Sequence, residues 1–313
     1  MLFRSEPTGG ATDRVLDGPT NLVWIDPWLD YLRSKGVHYI FNAEVKAIEV
    51  DVHGISGIIV NHNGHQQVVT GDLYLAALPI ERIAPMLTPA LLKLDPVLSH
   101  LQALSANVEW MNGVQYYLTS EVPAPNGHVI HIDTEWALTS ISQLPFWPEL
   151  PADFFGVSNL RTVLSVDISD WKMPGSDGRP AIRSSRQEVV LEAWRQLKRS
   201  INHDGVEWLR DGDLHSWFLD ADIAADPNNP GYLKNSEPLL VNLVNTWELR
   251  PDACTAIPNL FLASDYVRTN TDLATMEGAN EAARRAVNGI LEASGYTDRK
   301  STRLNSSHEW ISR

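Results

Sequence analysis

Cysteine is almost absent from this 313-residue chain, in which Cys254 is the single example. One cysteine excludes an internal disulfide framework and a thiolate metal cluster. The histidines do not supply an alternative site. His62 and His65 flank a predicted hairpin turn, and no HxxxH pair with the spacing of a helical metal site is present. We therefore expect no bound metal.

Basic charge and long apolar runs are also scarce. The formal net charge is −14 with a pI near 5.1, and no basic stripe is present, so we expect no nucleic-acid partner. No segment approaches the roughly 18–20 uncharged apolar residues of a membrane span, and the opening residues lack a signal-peptide core. These features predict a cytoplasmic protein, with peripheral membrane contact as an alternative that the sequence leaves open.

The most informative segment lies near the end of the chain. The apolar run 257–262 is followed by Ala263-Ser264-Asp265, and a helix beginning near Thr275-Met276-Glu277-Gly278-Ala279 comes soon after. This order places a carboxylate at the carboxyl end of a strand and unpaired N–H groups at a helix start. Such a crevice suits a ligand with a polyol and an electron-rich, partly anionic ring, and flavin has both.

Hydrophobic periodicity predicts a mixed α/β fold with an interrupted organisation. Residues 17–80 and 246–295 are predicted to form one nucleotide-binding domain. Residues 81–245 are predicted to form an inserted substrate domain of mixed sheet and helices. The predicted elements include helices over 25–33, 186–201 and the segment after 275, a hairpin turn at Asn63-Gly64, and strands over 37–40, 43–50, 72–77, 113–118, 128–132, 162–168, 215–219 and 239–244.

Both ends of the chain differ in character from the rest. Residues 298–308 lack hydrophobic periodicity and resemble the peptide encoded by sequencing-adaptor DNA, and residues 2–5 resemble the end of a similar translation. We therefore predict that 1–16 and 296–313 are artefacts of sequencing; the alternative is an ordinary disordered lead and tail.

The chain resembles the FAD-dependent amine oxidase superfamily, and within it the phytoene desaturase and hydroxysqualene dehydroxylase branch. The residues that carry this resemblance are 20–36, the strand around Val45, the strand end 75–79 and the segment 258–291, with Ala263-Ser264-Asp265 and Glu277-Gly278-Ala279 as its most specific part. Ser264 stands where the family has glycine. The resemblance implies an FAD/NAD(P)-binding-like domain with an inserted substrate domain.

One part of the family pattern does not occur in this sequence. Family members begin with a strand, a GxGxxG turn and a helix that hold the FAD pyrophosphate, followed about 20 residues later by an acidic residue. The resemblance therefore implies that the first βαβ unit is missing, that the chain is an N-terminally truncated fragment, and that by itself it is inactive.

The resemblance also implies roles for single residues, and each role has a structural alternative. Asp265 would accept a hydrogen bond from a ribityl hydroxyl, or it is a helix N-cap or a surface carboxylate. Thr275, Met276, Glu277, Gly278 and Ala279 would face the flavin N1–C2=O edge, or form a tight packing site. The backbone N–H and C=O of Val45 would pair with the adenine ring, or Val45 is only a residue of the hydrophobic core. Pro79 would close the strand beside the cofactor, or only ends it. Ala263 and Ser264 belong to the same predicted FAD site.

The implied activity is hydride transfer to FAD from a small apolar substrate of the isoprenoid or carotenoid type. No acid or base residue is identified. An amine substrate and a non-catalytic remnant that binds no FAD remain alternatives. The tryptophans form either a core or an aromatic substrate lining; the residues proposed for such a lining are Trp110, Tyr116, Tyr117, Trp136, Trp147 and Trp217.

Overall fold

The structure, a computed structural model, describes residues 15–122, 127–148, 154–202, 204–271 and 275–296. The predicted artefactual ends fall almost wholly outside these ranges. In chain order the elements are α1 (Asp26–Ser34), β1 (Ala43–Val50), β2 (Ile55–His62), β3 (His65–Val69), β4 (Tyr74–Ala76), α2 (Ile80–Ile83), α3 (Pro89–Leu94), α4 (Ser99–Leu104), β5 (Val108–Glu109), β6 (Asn112–Leu118), β7 (Val129–Ile130), β8 (Leu138–Ser142), β9 (Thr162–Ile168), α5 (Arg186–Ile201), β10 (Leu214–Leu219), β11 (Ile223–Ala225), β12 (Leu233–Asn235), β13 (Leu239–Leu240), β14 (Leu260–Leu262) and α6 (Met276–Ala293).

The chain packs as two units. The first unit combines the described residues up to Tyr39 with Trp110–Glu237, and the second combines Ile40–Glu109 with the described residues from Pro238 onward. Each unit has its own cluster of buried apolar side chains. The mixed α/β class expected from the sequence is confirmed.

In the second unit, β1, β2 and β3 form an antiparallel meander, and β4 pairs in parallel with β14. Asn63 and Gly64 both have positive φ, 52° and 85°. This conformation is the one that a two-residue hairpin turn with the twist of its strands requires, and asparagine followed by glycine adopts it readily. The hairpin predicted at these residues is confirmed.

The first unit is a five-stranded sheet with the order β10-β6-β9-β8-β7, against which α5 packs. Val189, Ala193 and Leu197 form the buried stripe of α5. Ser185 and Glu188 form a capping box that satisfies backbone N–H groups at the start of this helix. A hydrogen bond of 2.7 Å from the Tyr116 hydroxyl to the Val190 carbonyl links the sheet to the helix.

The packing groups three segments differently from the predicted domain boundaries, one of which is 238–245, in the second unit. Residues 81–109 lie in the second unit, because Ile83, Leu91 and Leu104 share a buried cluster with β14. Residues 17–39 lie in the first unit. The assignment of FAD binding and substrate binding to separate domains stays a prediction.

Three predicted strands are wrong in whole or in part, and of the strand predicted over 128–132 only Val129–Ile130 forms. Residues 37–40 form no strand, and Val37, Tyr39 and Ile40 are exposed. The strand predicted over 239–244 ends at Leu240, because its partner β5 is only two residues long. Among the described residues, no helix combines the length and the apolar character that a membrane span needs.

Candidate functional site

The candidate site is built on the carboxyl ends of β4 and β14. Leu262 pairs with Ala76, and the Ala263 N–H donates to the Ala76 carbonyl at 3.0 Å, which extends the parallel ladder by one residue. Because parallel strands end at the same edge of a sheet, the residues that follow each strand emerge side by side. This edge is where open α/β sheets bind their ligands.

The turn after β14 holds Asp265 at this edge. Tyr266 and Val267 are fully buried and anchor the turn, while Asp265 is only partly buried. The Ser264 hydroxyl donates to Asp265 Oδ1 at 3.2 Å, and the Val267 N–H donates to the Ser264 carbonyl at 3.3 Å. The main chain that bears Asp265 is therefore held in place, and the carboxylate can accept further hydrogen bonds beyond the one from Ser264.

Helix α6 begins where the sequence predicts. Thr275 is its N-cap: the hydroxyl accepts a hydrogen bond from the Gly278 N–H at 3.2 Å, and the carbonyl accepts one from Ala279. The interpretation of Asp265 as the cap of this helix is therefore wrong. Gly278 is buried, whereas Met276 and Glu277 are exposed. The first N–H groups of a helix lack intrahelical acceptors, so this end of α6 offers hydrogen-bond donors and positive potential.

Glu281 connects the segment that follows Asp265 to helix α6. Its carboxylate accepts hydrogen bonds from the Asn270 N–H at 3.0 and 3.1 Å, from the Thr271 hydroxyl at 3.3 Å, and from Arg285 Nη2 at 2.7 Å. Burial raises the pKa of Glu281, but the bonds from Asn270 and Arg285 outweigh it and hold that pKa below its ordinary value. Glu281 was not predicted from the sequence, although its spacing of four residues from Arg285 is typical of a helical ion pair.

Arg250 is a second residue at the candidate site that was not predicted from the sequence. It is a buried arginine whose Nη1 donates to the backbone carbonyl of Asp265 at 2.5 Å. No periodicity or motif marks Arg250 in the sequence, because its two acceptors are not at a helical or strand spacing from it.

An apolar cavity of about 270 Å³ lies in the second unit, and Val45 is on its wall. A register shift in the β1–β2 ladder follows directly after Val45. Such irregularities locally interrupt strand pairing. The residues lining the cavity are Val45, Ile48, Ile55, Ile58, Tyr74, Leu75, Ala76, Ala77, Leu78 and Leu260.

The other predicted site residues do not line this cavity. Pro79 ends β4 and serves as the N-cap residue of α2, where its carbonyl accepts from the N–H groups of Arg82 and Ile83. The structure thus brings Ala263, Ser264 and Asp265 together on one turn, and Thr275 to Ala279 on one helix start. Residues 272–274, which join these two groups, lie outside the described residues.

Most of the aromatic residues proposed as a substrate lining are structural. Tyr116 and Trp136 are almost completely inaccessible and belong to the core of the first unit, so their assignment to a lining is wrong. Trp110 packs against the same core, and Trp147 is buried beside Phe155. Tyr117 is partly exposed and Trp217 is exposed.

Comparison with known proteins identifies the family. Residues 22–291 match the family described as flavin containing amine oxidoreductase. The chain belongs to this family. A zeta-carotene desaturase from Synechocystis sp. is 22% identical over 317 residues, which cover 93% of this chain and 56% of the desaturase. The chain thus spans a little over half the length of this curated relative, whose name agrees with the desaturase branch expected from the sequence.

One solved structure shares the fold at low identity. Reduced UDP-galactopyranose mutase is 11% identical, with a TM-score of 0.51 over 88% of this chain and 51% of the mutase. Cyclohexylamine oxidase from Brevibacterium oxydans is 14% identical, with a TM-score of 0.44 over 80% of this chain and 48% of the oxidase. The likeness to the mutase concerns the fold alone.

Members of this amine oxidoreductase family contain flavin, and the chemistry of the residues at the edge of β4 and β14 fits that group. Asp265 supplies a carboxylate acceptor for a hydroxyl, and the start of α6 supplies N–H donors for an electron-rich ring edge. Gly278 has no side chain, and those of Ala263 and Ala279 are small, so a planar ring can approach closely.

Proposed function

We propose that this chain is the flavin-facing part of an FAD-dependent oxidoreductase that acts on an apolar isoprenoid. The observation that carries the proposal is the Asp265 carboxylate, held on a buried turn at the carboxyl end of a parallel strand pair. The family match over residues 22–291 supports the flavin. The similarity to a zeta-carotene desaturase supports the isoprenoid.

Each part of the proposed site has a separate task. Asp265 accepts a hydrogen bond from a ribityl hydroxyl, and the first N–H groups of α6 stabilise negative charge at the ring edge. Val45 and the apolar cavity receive the adenine end, which is the part that distinguishes FAD from FMN. Bound FAD would supply an acceptor for a hydride from a substrate C–H bond.

Flavin titration tests the cofactor directly. The chain is titrated with FAD and with FMN, and binding is followed by the visible absorbance and fluorescence of the flavin. We expect FAD to bind more tightly than FMN, because only FAD fills the cavity beside Val45. No binding of either flavin would favour the non-catalytic remnant, and equal binding would remove the adenine assignment.

A binding measurement tests the substrate class without requiring turnover. This matters because the chain alone is predicted to be inactive. A polyene isoprenoid quenches tryptophan fluorescence by energy transfer when it binds, and the chain has 11 tryptophans. We expect saturable quenching by the polyene and no competition from an alkyl amine of equal length. Displacement of the polyene by the amine would favour an amine substrate.

We also propose peripheral membrane contact through α1, since apolar isoprenoids reside in bilayers. Trp28 and Tyr31 are 56% and 55% exposed, with ring centroids 6.4 Å apart. Aromatic side chains on an amphipathic helix are typical of contact with the membrane interface. The test is co-sedimentation with phosphatidylcholine vesicles. Trp28→Ser should reduce binding, whereas Trp208→Ser, which changes another exposed tryptophan, should not.

A further inference from the structure

Among the described residues of the second unit, Arg250 is the charged residue with the least solvent exposure, at 1%. Removing a guanidinium group from water is unfavourable unless hydrogen bonds replace those that water made. A buried arginine therefore stabilises a particular arrangement of acceptors rather than the fold in general. The acceptors of Arg250 show which arrangement this is.

The Arg250 guanidinium connects two segments of the second unit. Nη1 donates to the backbone carbonyl of Asp265 at 2.5 Å, and Nη2 donates to the side-chain oxygen of Asn242. The main chain around Arg250 is fixed as well. Its own N–H donates to the Trp247 carbonyl at 3.1 Å, and the adjacent Pro251 carbonyl accepts from the Arg268 N–H at 2.8 Å.

These bonds fix the main chain at the residue that bears the site carboxylate. A carbonyl held by a charged donor restricts the peptide plane that follows Asp265, and with it the direction of the Asp265 side chain. The Ser264 hydroxyl then orients the carboxylate itself. The main chain of the turn is thus held by Arg250, and its side chain by Ser264.

We infer that Arg250 is a positioning residue for the flavin: it acts through Asp265 and does not itself bind the ribityl chain. The inference rests on the proposed function, in which Asp265 accepts a ribityl hydroxyl. Lysine cannot substitute fully, because its single ammonium group lacks the planar fork that reaches two acceptors at fixed angles.

The experiment compares Arg250→Met and Arg250→Lys with a matched control in the first unit. Arg186 also donates to backbone carbonyls, of Asp220 at 2.8 Å and Leu219 at 2.7 Å. Arg186→Met therefore removes a similar set of bonds in the other unit, which does not contain the Asp265 turn. For each protein the Kd for FAD, the visible spectrum of the bound flavin and thermal unfolding are measured.

We expect Arg250→Met to raise the Kd for FAD about tenfold, the effect of weakening one hydrogen bond to a charged group, and Arg250→Lys to raise it less. Arg186→Met should lower the unfolding temperature and leave the Kd unchanged. A purely structural role would give neither the smaller rise in Kd for Arg250→Lys nor the difference between the two arginines.

Asn242→Ala provides a second variant if Arg250→Met does not fold. Asn242 is itself exposed, and its replacement by alanine removes the acceptor of Arg250 Nη2. An about threefold rise in Kd is expected. Equal FAD affinity in Asn242→Ala, Arg250→Lys and the unchanged chain would overturn the inference while leaving the proposed function intact. Failure of the unchanged chain to bind FAD would overturn both.

Discussion

Gly289 in helix α6 provides a test of how closely this helix packs on β14. A Cβ at position 289 would lie 2.3 Å from Cys254 Sγ and 3.1 Å from the Phe261 ring. The first distance is too short for any contact between these atoms, so Gly289→Ala requires α6 or Cys254 to move. The packing of α6 on β14 also determines where the start of the helix lies relative to the strand end.

Two opposing effects determine how much Gly289→Ala changes the free energy of unfolding. Overpacking of a core by one methyl group costs about 1–3 kcal/mol, whereas replacing glycine by alanine inside a helix contributes about 1 kcal/mol of stability. We therefore expect Gly289→Ala to lower the free energy of unfolding by up to about 2 kcal/mol. Because Cys254 Sγ makes the shortest contact, Cys254→Ala should recover about 1 kcal/mol in the double variant.

Urea unfolding followed by far-UV circular dichroism measures these differences, and the four proteins form a double-mutant cycle. Val287→Ala is the matched control, because it changes an exposed position of the same helix and should stay within about 0.5 kcal/mol. If the two substitutions are additive, the close packing of α6 against Cys254 is refuted, whatever the stability of Gly289→Ala alone.

Three further predictions concern the candidate site. Asp265→Asn should weaken FAD binding about tenfold in a flavin titration, with Asp252→Asn, a change at an exposed carboxylate, having no effect. The Tyr266 hydroxyl is buried without a hydrogen-bond partner among the described residues, so Tyr266→Phe should leave stability unchanged or raise it by about 1 kcal/mol; a clear loss in urea unfolding would reveal an undetected partner. The pKa of Glu281 is lowered in the folded chain, so its carboxylate stabilises the fold above its ordinary pKa of 4.5, and this contribution disappears as pH falls through the folded value. The stability difference from Glu281→Gln should therefore be constant at neutral pH and vanish in acid; a difference that persists at low pH would contradict this assignment.

Sequence signals predict those elements that are stabilised by residues close to them in the chain. The Asn63-Gly64 turn, the capping box that begins α5 and the start of α6 at Met276 depend on residues within a few positions, and all three are readable. The segment 37–40 has strand-forming residues, but no partner strand pairs with it. Strand formation depends on a partner as well as on propensity.

In the candidate site, too, features that depend on nearby residues were predictable and features that depend on packing were not. The position of Asp265 after an apolar strand and the cap of α6 follow from residue order, so the carboxylate and the helix start were predictable. The contacts of Arg250 with Asp265 and Asn242 depend on how separate segments pack, and no spacing rule describes them. The placement of residues 81–109 with the second unit was missed for the same reason, since it depends on a core shared with β14.

The pairing of β4 with β14 has a consequence for how the chain folds. These two strands are separated in sequence by all of Trp110–Glu237, so their ladder closes a very long loop. Loop-closure entropy must be overcome before such contacts contribute, and contacts of high sequence separation form slowly. During synthesis the five-stranded sheet can assemble while β4 still lacks its partner. The Asp265 turn is therefore among the last parts of the second unit to form, and the apolar surface around Tyr74 and Leu75 stays unpaired until the C-terminal segment has been made.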